Sequence, residues 1–391
     1  MKAFFLWIHK WLGLITGIVV FLVSITGCIY VFQDDLKVLV YPEKYYISGK
    51  AAASKPMPLT QLIKNAQAGL EKGEKISRVD LYPDPSRTWV FRASKNKEDA
   101  FGHWNYQVYY KRVFVNPYTG AIQVVENSKY EFFQVVLQMH MNLLLGKKVG
   151  HPVVGYSTAI FVVLLITGLI LWWPKRWKAT TVKQGLWLNF KHRWKRINHD
   201  LHNVLGFYSL IFAFIMGVTG LVFAFPDFKT FYTDSLNKLG SVTKSKKDFE
   251  PVPQPLNKTL DNALIYALQT YPDSDMMSIR LRDSTEKLHD IQIRLNKDRT
   301  GVFRWLYFNQ SDGQIKQLKS SENQAPGDQL ASLNFDLHVG TIGGLPTKII
   351  AFLASLICAS LPVTGFIIWL NKENSSGKKR KKRTAKKVAV N

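Results

Sequence analysis

The chain has 391 residues, 47% of them hydrophobic and 13% aromatic, with a formal charge of +24 at neutral pH. That length could hold two or three soluble domains, but the apolar residues are gathered into four blocks instead of being spread along the sequence. A charge this high suits a nucleic-acid binder, yet the cations flank the apolar blocks, which argues for a membrane and against nucleic acid.

A helix needs about 20 consecutive apolar residues to cross a bilayer. Trp11 to Phe32 satisfies this inside a first segment, 1–36, with His9 at its foot. Segment 37–130 is mixed polar and aromatic text. It predicts a helix over Leu59 to Leu70 and strands over Ile76 to Tyr82, Thr88 to Ala93, Tyr106 to Val115 and Ala121 to Val125. Segment 131–174 carries His140 and the second span, Val153 to Trp173, and 175–199 is a basic loop. The third span, Val204 to Phe225, lies in 200–228, opened by His202.

Segment 229–328 follows the plan of 37–130, with a helix near Thr259 to Leu268 and strands near Met277 to Leu281, His289 to Leu295, Val302 to Phe308 and Gln314 to Leu318. Turns at Asn116 to Gly120 and Asn309 to Gly313 are expected to join the last two strands of each set. Segment 329–371 carries His338 and the fourth span, Ile349 to Leu370, and 372–391 is a basic tail. The predicted fold is a membrane all-α four-helix bundle built from a tandem parallel repeat, with two α+β modules outside the membrane.

The repeat rests on one offset. His9 and His202, Gly13 and Gly206, Gly27 and Gly220, and Asp34 and Asp227 all lie 193 residues apart, and so do the two Asn-to-Gly turns. Leu-Gln-Met-His140 and Phe-Asp-Leu-His338 add a second histidine to each copy, each ahead of an apolar block that ends in Thr-Gly and tryptophan.

Lysines and arginines number two before the first span, eight between the second and third and nine after the fourth, against only Asp200 and Glu373. The positive-inside rule then puts both termini in the cytoplasm and the two long segments outside. Trp172, Trp173 and Trp369 mark the cytoplasmic ends of spans two and four as an aromatic belt. The run Lys378 to Arg383 reads as a solvated tail near anionic lipid. Ile25-Thr-Gly-Cys28 looks like a lipoprotein cleavage box, but Val218-Thr-Gly-Leu221 keeps Thr-Gly without the cysteine, so these pairs read as helix-packing residues. Cys28 and Cys358 fall at different depths, and no structural disulfide is expected.

An ionisable residue at a span marks a functional site. The four histidines could serve in packing, proton relay, divalent-metal binding or haem ligation. Depth pairs His9 with His202 on the inner side and His140 with His338 on the outer. Zinc recruits three or four protein ligands and no companions stand nearby, whereas haem needs one or two axial ligands and an apolar slot, so two histidines per level fit haem best. Gly13 and Gly206, one turn after their histidines, could let a macrocycle approach the backbone or serve helix contact. His199 and His151 are secondary candidates. Trp104, Tyr109, Arg112, Arg304 and Trp305 are candidates for docking an acceptor.

His9-x-Trp-Leu-Gly13, Leu-x-x-His140-Met-Asn-Leu-Leu-Leu-Gly146, Thr167-Gly-x-x-Leu-Trp-Trp-Pro174, Asp200-Leu-His202-x-x-Leu-Gly-Phe-Tyr208 and Asp336-Leu-His338-x-Gly together resemble the PepSY-associated transmembrane proteins. That family includes the iron-regulated ferric-siderophore reductases of the bacterial inner membrane. The resemblance implies two b-type haems, two periplasmic PepSY-like modules and electron transfer outward to a ferric-siderophore or other ferric complex. It also implies a separate donor, quinol or a cytoplasmic reductase, since no flavin domain is present. The alternatives are a non-enzymatic PepSY protein that regulates periplasmic proteolysis or senses the envelope, and a small transporter.

Overall fold

The computed structural model describes residues 1–48, 55–239, 260–281, 288–297, 301–309, 314–321 and 324–388, with side chains described as far as 374 in the last helix. The first half runs α1 (Lys2–Val31), α2 (Gln33–Val40), α3 (Pro42–Tyr45), α4 (Leu59–Ala68), β1 (Ile76–Leu81), β2 (Trp89–Asn96), α5 (His103–Tyr106), β3 (Gln107–Val115), β4 (Ile122–Asn127), α6 (Phe132–Asn142) and α7 (Lys147–Trp172). After α8 (Ala179–Leu186) in the basic loop come α9 (Trp194–Asp200), α10 (Gly206–Ala224), α11 (Pro226–Leu239) and α12 (Leu260–Thr270). The chain ends through β5 (Met276–Arg280), β6 (Leu288–Arg294), β7 (Phe303–Asn309), β8 (Ile315–Ser320), α13 (Pro326–Ser332), α14 (Asn334–Val339) and α15 (Leu345–Val388). The expected turn at Asn309 to Gly313 lies largely outside the described residues.

Lys2–Val31, Lys147–Trp172, Trp194–Ala224 and Leu345–Asn374 are long enough to cross a membrane, with mean hydropathy of 2.1 to 2.4 in their most apolar windows. Their outward side chains, among them Ile15, Ile18, Ile211 and Phe214, are apolar and uncovered by protein, as a lipid-facing surface requires. This is a membrane protein. Helix α1 packs against α7 and α15, and α10 packs against the same two, so α1 and α10 face each other across the bundle. Helix α6 ends in a tight reversal in which Leu143 and Leu144 take positive φ (53° and 58°) and Gly146 takes 82°. The φ values at the two leucines are uncommon for residues with a Cβ. A Cβ at Gly150 would fall 1.7 Å from the carbonyl oxygen of Asn142, so only glycine allows α6 to fold back beside α7.

The strands correct one expectation. The two extramembrane segments do not form separate sheets: β1 pairs antiparallel with β5, giving a single eight-stranded sheet in the order β4-β3-β2-β1-β5-β6-β7-β8. Each four-stranded set would otherwise leave an unpaired inner edge, and joining the edges satisfies both rows of backbone groups. One face of the sheet is covered by α4 and α12. Leu59, Leu62 and Ala66, with Ala263, Leu264 and Ala267, pack on Val79, Phe91, Val113, Ile279, Ile291 and Leu306 in one core shared by both halves. Thr60 bonds to Asp261 through its backbone N–H (2.9 Å) and its hydroxyl (2.7 Å), joining the two covering helices.

The opposite face is turned toward the bundle. There α2 and α3 lay Val38, Tyr41 and Tyr45 on Val90 and Phe114. Asp35 of α2 pairs with Lys297 (3.0 Å), just after β6, and with Lys348 of α15, so one carboxylate ties both halves of the sheet unit to the fourth span.

The β1–β5 seam can be tested covalently. Leu81 and Met277 lie opposite each other in the register, within the Cα separation of about 4.4–6.8 Å that a disulfide tolerates. In a Cys28→Ser/Cys358→Ser background, Leu81→Cys with Met277→Cys should crosslink the halves. After protease cleavage in the exposed basic loop near Lys191, they should remain joined until reductant is added. Halves that separate without reductant would mean that the seam does not form.

Candidate functional site

The four histidines of the spans come together in two pairs. The His9 and His202 rings have centroids 6.3 Å apart, and those of His140 and His338 6.1 Å apart, both pairs meeting edge-on at 89° and 75°. Each half supplies one histidine to each level. His9 lies on α1 and His202 in a single π-helical turn, Leu201–Leu205, where α9 passes into α10; such turns often accompany functional residues. His140 and His338 sit on the short helices α6 and α14, which pack on α1 and α10. Between His9 and Thr26, at the two levels, α1 rises about 26 Å at about 1.5 Å per residue.

Every one of these rings is held in the same way. His9 Nδ1 lies 2.9 Å from Thr167 Oγ1, His202 Nδ1 2.9 Å from Thr364 Oγ1, His140 Nδ1 3.1 Å from Thr26 Oγ1 and His338 Nδ1 2.9 Å from Thr219 Oγ1. Each threonine hydroxyl already donates to a carbonyl one turn back in its own helix: Thr26 to Leu22 (2.7 Å), Thr167 to Val163 (3.0 Å), Thr219 to Ile215 (2.7 Å) and Thr364 to Ser360 (3.0 Å). With its hydrogen committed, the hydroxyl oxygen can only accept, so Nδ1 of each imidazole carries the hydrogen. His140 Nδ1 also reaches the carbonyl of Val23 at 2.9 Å, which requires the same tautomer. Nε2 is then the lone-pair nitrogen of all four rings, and none has a hydrogen-bond partner among the described residues.

The glycine after each threonine makes room for the ring. An added Cβ would meet His9 Cε1 at 3.3 Å from Gly168, His202 Cε1 at 3.2 Å from Gly365, His140 Cε1 at 3.4 Å from Gly27 and His338 Cε1 at 3.5 Å from Gly220. Reading the Thr-Gly pairs as helix packing alone therefore missed their contact with the histidines. Part of the signal was in the sequence: each span carries a Thr-Gly pair, at 26, 167, 219 and 364, although the first span has another at Thr16-Gly17, where the glycine meets Pro362 and not a histidine. Gly13 and Gly206 lie elsewhere, with Cβ positions 3.9 Å from Leu164 and 3.6 Å from Leu361, so both meet leucines of neighbouring helices.

Further bonds fix the supports. Asn198, four residues before His202, donates to the Thr364 carbonyl (3.0 Å), and Asn334, four before His338, donates to the Thr219 carbonyl (3.1 Å). The outer pair is also tied to the sheet. Glu131 caps α6, accepting from the N–H groups of Phe133 and Gln134 at 3.0 Å, and pairs with Arg112 of β3 at 3.2 Å. Asp336 accepts from Gly301 N–H at 2.8 Å and from the Thr341 hydroxyl at 2.9 Å. Burial alone would push the Glu126 carboxyl up, but Arg112 and Lys44 outweigh it and hold it below its ordinary range.

The secondary candidates do not join either pair. His151 Nε2 lies 3.2 Å from the Ala224 carbonyl, and half-exposed His199 bonds Asn203 (3.1 Å) beside Asp200. Arg112 is enclosed by Glu126 and Glu131 and has no guanidinium face to offer a ligand. Trp104 is exposed, Tyr109 accepts from Lys75 N–H, and Arg304 bonds the Phe303 carbonyl. Cys28 and Cys358 are both free and buried.

Two imidazoles protonated at Nδ1 cannot bond each other through Nε2, because neither has a hydrogen there. They can share a metal. A nitrogen–metal bond of about 2 Å on each side, plus about 1.1 Å from nitrogen to ring centre, sums to roughly 6.2 Å, which matches both centroid spacings. Among the described residues no group of three or more His, Cys, Asp or Glu could complete a protein-only metal site. The donor set suits a metal that brings its equatorial ligands with it. The chain belongs to the family described as the PepSY-associated TM region. The family model matches residues 6–372, nearly the whole chain. Comparison with curated proteins gives no match.

The tautomer assignment of this PepSY-associated protein is directly measurable. Nitrogen NMR of the metal-free, histidine-labelled protein should show His338 protonated at Nδ1, and Thr219→Val should let the Nε2–H form appear. The variant should also lose about 1–3 kcal/mol of stability, as expected when a buried donor is left unpaired. A wild-type ring protonated at Nε2 would contradict the assignment.

Proposed function

We propose that this protein is a di-haem oxidoreductase of the bacterial inner membrane that reduces a periplasmic ferric complex of the iron(III)-siderophore kind. The observation that carries this reading is the pair of imidazoles at each level, with Nδ1 engaged by threonine, Nε2 bare and ring centres spaced for one shared metal. Membership of the family supports it. In this reading the two halves are tandem copies, and each half of the sheet is a PepSY-like module.

His9 and His202 would hold one haem b and His140 and His338 a second; bound there, haem supplies reversible one-electron transfer. The chain's own residues act on ligand geometry and surroundings. The Nδ1–H to threonine bonds orient each ring and raise the basicity of Nε2, as hydrogen-bond acceptors behind a metal-bound histidine do. The glycines admit the rings, and the apolar spans exclude water. An apolar cavity of about 120 Å³ is lined by Phe212, Met216, Ile342, Ile350 and Leu337, the residue before His338.

The overall reaction moves one electron from a separate donor, quinol or a cytoplasmic reductase, to the ferric complex. Iron(III) becomes iron(II), no bond to the protein forms, and hard oxygen ligands then release the metal more readily. In this reading both termini lie in the cytoplasm and the sheet in the periplasm, which the lysines and arginines of the basic loop and tail support through the positive-inside rule.

Ligand pairing gives the first test. His140→Ala and His338→Ala should each abolish the same redox transition in a spectral titration, and His9→Ala and His202→Ala the other. A crossed pattern, or a transition lost with His199→Ala and kept with His202→Ala, would overturn the assignment. Activity gives the second. Reduced protein in sealed vesicles, sorted by orientation and mixed without oxygen with an impermeant ferric-siderophore, should yield iron(II), trapped by a coloured chelator, only where the sheet faces the complex. Equal yields from both faces would refute the outward direction.

A further inference from the structure

The sheet face turned toward the bundle carries a row of arginines that neither the core nor the histidine levels use. Arg92 of β2 lies directly opposite Arg78 of β1, and Arg78 directly opposite Arg280 of β5, so the three stand side by side across the seam between the halves. Like charges in directly opposed sheet positions oppose folding. Among the described residues, two carboxylates lie beneath them. Asp80, fully buried, is shared by Arg78 (3.2 Å) and Arg92, and Asp290, also buried, lies 3.5 Å from Arg280. Arg78 is further fixed by Nε donating to Ser278 Oγ at 2.6 Å, and Arg280 stacks over the Trp305 ring at 4.7 Å.

The acids are enclosed while the cations are not: the side chains of Arg78, Arg92 and Arg280 are 35%, 33% and 39% exposed against 1% for either aspartate. The aspartates orient the guanidiniums by their inner edges. Both Nη groups of Arg78 and of Arg280 remain outside those bonds. The row also lies near the outer histidine level. Arg112, next to Arg92 in the register, pairs with the Glu131 cap of the helix that carries His140.

Guanidinium forks held in a row match the paired oxygens of carboxylates, and arginine binds such groups bidentately. We propose that Arg78, Arg92 and Arg280 form a docking site for a small polyanion bearing several carboxylates, and that the ferric complex this protein accepts is of that carboxylate-bearing, anionic class. This inference rests on the reductase reading for the identity of the iron but not for the binding of the anion. Trp305 holds the Arg280 guanidinium in position through its ring, and the seam makes the site a joint product of the two halves.

Gallium(III) citrate tests the site without electron transfer, because gallium(III) is not reduced under these conditions. Full-length protein in neutral-lipid nanodiscs should bind it by calorimetry, and should bind a charge-neutral gallium(III) tris-hydroxamate at least tenfold more weakly. Arg78→Gln with Arg280→Gln should weaken citrate-complex binding tenfold or more while leaving the hydroxamate complex unchanged. Should the double variant fail to fold, the wild type decides: its affinity for the citrate complex must fall steeply between about 50 and 200 mM salt. Equal affinity for the two complexes, an unweakened variant or a flat salt response would overturn the proposal. Protein that binds gallium citrate but does not reduce iron(III) citrate would refute the reductase reading and leave the docking site standing.

Discussion

The structure depends on one hydrogen bond made four times. A threonine hydroxyl inside an apolar helix has no water to bond, so it gives its hydrogen to a carbonyl one turn back. Its oxygen is then an obligatory acceptor, and in each case the group presented to it is a histidine Nδ1. That polarity decides the chemistry of the imidazole at its other end. A histidine free to choose its tautomer could pair with its neighbour through Nε2, or carry a proton relay. With Nδ1–H fixed, the pair is two bases without a hydrogen between them, the donor arrangement that the proposed haem requires. The glycine that follows each threonine completes the cradle by letting the ring lie against the helix.

Much of this was legible in the sequence. Depth paired the histidines as their rings are found, and the eight strands fall within a few residues of their expected bounds because alternating runs such as Val79, Leu81 and Phe91 report the buried face directly. The β1–β5 seam was not legible. Alternation reveals which face of a strand is buried but is silent about which edge it meets, so two modules were expected where one sheet exists. The role of Thr-Gly was hidden for a related reason: small residues in a span have a general packing explanation, as Thr16-Gly17 does against Pro362, and only geometry showed that four such pairs each face a histidine. Gly13 and Gly206 drew attention by their distance from the histidines along the helix, yet they meet leucines. The arginine row is invisible in the linear text, since positions 78, 92 and 280 become neighbours only through strand register.

The merged sheet gives the outer histidines a common foundation. Glu131 links β3 to the helix of His140, Asp336 links the loop between β6 and β7 to the helix of His338, and the seam joins β1 to β5 between them. A displacement of one half of the sheet would therefore act on the spacing of the outer rings. Among the described residues the inner pair has no attachment to the sheet; the spans position it, with α8 of the basic loop packed on the turn that carries His202. The two levels thus differ in mechanical surroundings even though their ring contacts are the same.

The central claim is that these threonine-oriented pairs each hold a haem, and the most direct measurement is the visible spectrum of the wild-type protein purified intact from haem-replete cells. The account predicts low-spin b-type bands on reduction with dithionite and a pyridine-haemochrome content near two haems per chain. Protein with no Soret band, or with bands of a high-spin haem lacking a second axial histidine, would contradict it.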